Sequence, residues 1–164
     1  MILIKWDHKI QARFIEMNLL DELIDAYLDN NFEHPYYLDL HTGQVILDMD
    51  EAYTGEPGID WDDEENEERY IDIPKIDSNE AFYVMTKFAQ RTESDPEDKL
   101  FDALDGNKPF RRFNDTLYEL DIWDEWNQFE KKLAEEEIQT WMNRYELDYN
   151  ELNEKHKNNH PFSQ

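Results

Sequence analysis

The chain is predicted to adopt an α+β fold, a small three-stranded antiparallel sheet with about four to five helices, the last one long. Three observations carry this expectation. Two short β-prone runs flank a glycine-containing turn, and a third run of alternating polarity stops at a proline. Elsewhere, apolar residues recur at three- and four-residue intervals, the period of an amphipathic helix. Five Trp, nine Tyr and nine Phe supply buried area for a core, although only 39% of the 164 residues are apolar and 35% are charged. That charge content alone leans toward disorder, and the aromatic content argues against it. The expected organisation is a single acidic domain over 1–149 with a disordered tail over 150–164.

Along the chain, Met1 to Met17 is ambiguous, because Ile2 to Trp6 is short and β-prone while Phe14 and Ile15 could extend a following helix backward. Leu19, Leu20, Leu23, Ile24, Tyr27 and Leu28 form one face of a helix that Asn18 can cap, with Asp21 in its first turn and Asn30 closing it. Tyr36 to Leu40 and Val45 to Ile46 and Leu47 read as a hairpin, with Gly43 supplying the positive φ of a tight turn. Arg69 to Ile73 alternates and ends at Pro74, which suits an edge strand.

Asp48 to Glu68 holds eleven carboxylates and no Lys or Arg, so a mobile, solvated loop or short frayed helix is expected, with Trp61 the exception inside it. Asp77-Ser78-Asn79-Glu80 resembles a capping box and precedes Ala81, Phe82, Val84, Met85 and Phe88 at core spacing. Ser94-Asp95-Pro96-Glu97 opens a further helix carrying Leu100, Phe101 and Leu104, closed by Gly106. Phe110, Phe113, Leu117 and Leu120 mark the next stripe, and Trp126 to Tyr145 a long final helix.

Sixteen Lys and Arg against 41 Asp and Glu give a formal charge of −25 and a pI near 4.3. A net charge of this sign argues against an unassisted grip on bare nucleic acid or an anionic membrane. The absence of Cys removes disulfides, thiolate metal sites and cysteine nucleophiles. No stretch approaches a membrane span or a secretory apolar region, so the cytoplasm is the default address.

Two blocks carry a resemblance. Tyr37-Leu38-Asp39-Leu40-His41-Thr42-Gly43-Gln44-Val45 is similar to a Y-L-D/N-x-x-T-G-E-V hairpin. Leu104 to Asp115 is similar to a G-x-G-A-F-R-R-F-K-D block, with Asn107-Lys108-Pro109 in place of the more usual Lys-Gly-Ala and Asn114 in place of a Lys. Together they resemble a small bacterial family of uncharacterised proteins, over roughly Leu19 to Tyr145. The resemblance implies an α+β architecture and supplies no activity, catalytic residue or ligand.

Candidate sites are few. Lys108, Arg111 and Arg112 are the densest cationic cluster, at a helix N-terminus that itself favours anions, with Phe110 or Phe113 available for stacking on a base. The plainer reading makes the two Phe core residues and pairs the arginines with Asp105, Asp115 or the acidic segment, and the continuous apolar stripe favours it. Asp60, Asp62, Asp63, Glu64, Glu65, Glu67 and Glu68 form an acidic surface without the spacing of a calcium loop, so a solvated face is expected rather than a metal site. His156 and His160 have i, i+4 spacing but no third ligand nearby, and no cofactor motif is present. The expectation is a non-enzymatic cytoplasmic interaction or regulatory protein whose acidic surface binds a basic partner protein. The alternative is a nucleotide- or nucleic-acid-contacting module built on Lys108, Arg111 and Arg112, and a carboxylate-based metal-dependent hydrolase ranks below both.

Overall fold

The computed structural model describes residues 18–92 and 94–159, so the ambiguous Met1 to Met17 segment and His160 lie outside the described residues. Two compact units make up the chain. The first runs up to Lys75 and resumes at Ile138; the second is Ile76–Glu137.

In the first unit, α1 (Leu19–Leu28) begins at Asn18, whose side chain accepts the Asp21 N–H while the Asp21 carboxylate accepts back from the Asn18 N–H. This reciprocal cap satisfies two amides that the helix start leaves open. Leu19, Leu23, Ile24, Ala26 and Tyr27 are buried, and α1 packs against β2 and the C-terminal helix. The sheet has the order β2-β1-β3, with β1 Tyr36–Asp39, β2 Val45–Leu47 and β3 Tyr70–Asp72, all antiparallel. The hairpin turns through Gly43 at φ 69, and β3 is an edge strand, both as the sequence predicts.

Between β2 and β3 the expected acidic loop contains two short helices, α2 (Glu51–Thr54) and α3 (Glu64–Arg69). α3 forms despite its charge because Asp63 accepts the Glu65 N–H, and because Glu64, Glu65 and Glu67 sit in its first turn, where the helix dipole favours anions.

The second unit holds α4 (Ser78–Arg91), α5 (Ser94–Leu104), α6 (Pro109–Glu119) and most of α7 (Trp123–Arg144), which continues into the first unit from Ile138. Asp77 and Glu80 make the expected capping box of α4. Phe88, Phe113 and Trp126 pack edge to face, with ring centroids 5.0–6.4 Å apart, and Phe129 lies 5.4 Å from Phe88. Such arrangements suit the ring quadrupoles. Phe82, expected in the core, is instead 39% exposed, because the buried stripe of α4 runs through Val84, Met85, Phe88 and Ala89.

The described residues form eight helices, against the four to five expected, and the long one, α7, is not the last as expected. The largest correction is at the C-terminus. The disordered tail expected over 150–164 is, over Tyr149–Asn159, the helix α8, with Leu152 and His156 buried. Its N-terminus is capped by Asp148, which accepts the Glu151 N–H. The sequence does not announce this helix because only these two of its side chains are buried, and its other residues read as polar. Tertiary contact, not composition, orders it: the His156 ring bonds Glu22 at 2.9 Å, and Asn153 accepts the Leu19 N–H at 3.2 Å.

Lys108 caps α6 in the left-handed region, at φ 53 and ψ 55, with no side-chain cap bond. An L-residue held there carries about 1 kcal/mol of strain, which glycine would relieve. Lys108→Gly is therefore expected to raise Tm by about 3 °C in a thermal melt. An unchanged or lower Tm would contradict the strain.

Candidate functional site

The acidic segment is held to the sheet by one aromatic residue. The Trp61 ring lies 4.9 Å from that of Tyr37 on β1 and 6.2 Å from that of Tyr70 on β3. Its indole N–H donates to Asp48 Oδ2 at 2.9 Å, and Asp48 Oδ1 accepts the Ile59 N–H at 2.7 Å. Asn66 Nδ2 donates to the Asp60 carbonyl at 2.8 Å, closing the turn before α3. Asp60, Asp62, Asp63, Glu64, Glu65, Glu67 and Glu68 are all exposed on this framework. None of the seven makes an ion pair among the described residues. Tyr53 on α2 is 78% exposed, an aromatic side chain presented within the same segment.

The cationic cluster lies in the second unit. Lys108, Arg111 and Arg112 are all exposed, Phe110 is 37% exposed and Phe113 is fully buried. The expected pairing with Asp105 is made to its backbone, not its carboxylate: Arg112 Nη1 donates to the Asp105 carbonyl at 3.1 Å. Neither arginine forms an ion pair among the described residues. Thus Phe113 is core as the plainer reading holds, but Phe110, which that reading also places in the core, is exposed, and the cationic side chains remain solvent-facing.

Two clusters escaped the sequence reading. Asp39, 2% exposed at the end of β1, receives a forked pair of bonds from Arg69, Nε to Oδ1 at 2.9 Å and Nη2 to Oδ2 at 2.8 Å. The His41 N–H also donates to Oδ1, at 2.9 Å. The Arg69 guanidinium also lies 5.0 Å from the Tyr70 ring centroid, within cation–π range.

The second cluster gathers at the end of α1. Asp29 Oδ2 faces His34 Nδ1 at 3.0 Å and accepts from Tyr36 Oη at 2.9 Å, while Oδ1 accepts the Asn31 N–H at 3.0 Å. Burial would raise the Asp29 pKa, but the bonds from Asn31, His34 and Tyr36 and the charge of Lys75 outweigh it and bring it down to about 2. Burial and the neighbouring Asp29 push Tyr36 up to about 12. Because the folded pKa of Asp29 is depressed, its contribution to stability is complete above about pH 4 and is lost as pH falls toward 2. Carbon-detected NMR titration should find this carboxyl still ionised at pH 3. A midpoint near 4 would contradict the hydrogen-bond geometry. No sequence motif marks either cluster: the sheet brings Asp39 and Arg69 together across 30 positions, whereas Asp29, Asn31, His34 and Tyr36 meet in the short connection between α1 and β1.

Among the described residues no group of three or more His, Asp or Glu is placed to hold a metal ion, and no helix is long and apolar enough to cross a membrane.

Comparison with known proteins places these features in a lineage. A UPF0158 protein of Chlamydia pneumoniae is 27% identical over 124 residues, a match covering 73% of this chain and 38% of that protein. The chain therefore spans less than half the length of this curated relative. No solved structure gives a significant match. The model of an uncharacterised protein family, UPF0158, matches residues 14–164, which include the hairpin, the acidic segment and the F-R-R-F block. The chain belongs to the uncharacterised protein family UPF0158.

Proposed function

We propose that this is a non-enzymatic cytoplasmic interaction or regulatory protein whose acidic face, from Asp60 to Glu68, engages a basic partner protein. The observation that supports the reading is the anchoring of that segment by Trp61 against Tyr37 and Tyr70. A flexible acidic loop would have to be ordered on binding, at an entropic cost; an anchored one presents its carboxylates in place. Seven exposed carboxylates with no ion-pair partner among the described residues repel one another, and a cationic surface relieves that repulsion as it docks. Such complementarity speeds encounter and confers salt-sensitive selectivity.

Calorimetric titration with an oligo-arginine peptide tests the reading. Saturable binding that weakens with added sodium chloride is expected, and it should vanish when the seven carboxylates of 60–68 are replaced by amides. A variant neutralising an equal number of exposed carboxylates on α5 to α7 should keep it. Equal loss in both variants would leave only net charge and defeat the proposal.

A second reading rests on the exposure of Lys108, Arg111 and Arg112 beside the half-exposed Phe110. In that reading the α6 terminus contacts a nucleotide or nucleic acid, with phosphate on the cations and a base on the ring.

A further inference from the structure

We infer that the groove between the C-terminal end of α4 and the N-terminal half of α7 is a binding site for a small organic acid with an apolar body. All of its lining residues belong to the second unit. Its volume is about 630 Å³, inside the range of about 300–1,000 Å³ typical of small-molecule sites. Phe88, Ile122 and Phe129 supply an apolar lining. Arg91 and Lys132 supply positive charge, Glu125 is the carboxylate on the wall, and Gln128 adds an amide.

The charge balance selects the ligand. Two cations against one carboxylate make this groove locally positive in a chain of formal charge −25. Neither Arg91 nor Lys132 makes an ion pair among the described residues. The Arg91 guanidinium lies 5.1 Å from the Phe129 ring centroid, which seats a bidentate donor at the edge of the apolar lining. A carboxylate suits such a fork, and an attached aryl or alkyl body would cover the Phe88 and Phe129 rings. A single negative charge matches the local excess. A polyanion or an acidic macromolecule would instead meet the repulsion of the surrounding carboxylates.

The test is an amide NMR titration of the full chain with 2-naphthoate, using 2-naphthalenemethanol as the neutral counterpart. The site requires saturable one-to-one binding of the acid, with shifts centred on residues 88–92 and 122–132. The alcohol should bind up to about a hundredfold more weakly, because it forgoes the charge-assisted contacts with both cations. Arg91→Ala and Lys132→Ala should each weaken the acid by about tenfold and leave the alcohol unchanged, with unaltered Tm confirming the fold. Should Arg91→Ala unfold the chain, Arg91→Lys and the exposed Lys132 decide instead. No binding, equal affinity for acid and alcohol, shifts elsewhere, or insensitivity to both substitutions would each overturn the inference.

Discussion

Gly43→Ala should cost about 3 kcal/mol or more of stability and lower Tm by about 10 °C. Two effects combine at this position. The residue sits at φ 69, where a side chain is strained by about 1 kcal/mol. A Cβ there would also collide with the Leu152 carbonyl oxygen and lie 2.7 Å from the His156 amide nitrogen, both in the backbone of α8. Backbone atoms cannot swing aside as a flexible side chain can, so the hairpin must lift from the helix. That movement would also break the bond from Gln44 Nε2 to the Asn159 carbonyl and the bond from Lys155 Nζ to the Leu40 carbonyl. Gly55 separates the two effects, because at φ 75 it has nothing within 4 Å of its would-be Cβ. Gly55→Ala should cost only about 1 kcal/mol. Equal losses in the two variants, measured by urea unfolding, would mean that α8 does not seat against the turn.

Asp39→Ala should cost about 3 kcal/mol, since it leaves three donors without their acceptor and removes the counter-charge of Arg69. The loss should depend on pH in a definite sense. Burial raises the Asp39 pKa, but the hydrogen bonds from Arg69, His41 and Thr42 and the Arg69 charge outweigh it and hold the carboxyl below its ordinary value. The stabilisation is therefore fully present above about pH 4, where the unfolded chain is also ionised, and fades as pH falls through the lower folded value. The gap between Asp39→Ala and the parent protein should shrink in acid. A gap that is constant with pH would show that the carboxylate charge contributes nothing.

What was legible in the sequence was local. Asn18 with Asp21, and Asp77 with Glu80, announce helix starts because a capping box acts over three residues. The hairpin and its edge partner were readable from Gly43 and Pro74, whose backbone requirements do not depend on distant contacts. What was not legible depends on residues far apart in the chain. Asp39 and Arg69 are 30 positions apart, and His156 meets Glu22 across 134. α8 is too polar to betray itself, because its two buried residues gain their burial from the hairpin and α1. The acidic run was recognisable as a surface, but its attachment was not, since Trp61 stood out without any sign of the Tyr37 and Tyr70 rings that receive it. The apolar stripes predicted Phe113 as core and overreached at Phe82 and Phe110, which the packing leaves exposed.

The proposed role rests on the acidic face being held in shape, and Trp61→Ala tests that directly because it leaves every carboxylate in place. Titrated with the oligo-arginine peptide at low salt, the variant should bind about tenfold more weakly than the parent, as the ordering of the segment is shifted onto the binding step. Hydrogen exchange over Asp60 to Glu68 should quicken in parallel. Binding as tight as the parent's, with the segment demonstrably loosened, would contradict a preformed acidic interface and reduce the attraction to net charge.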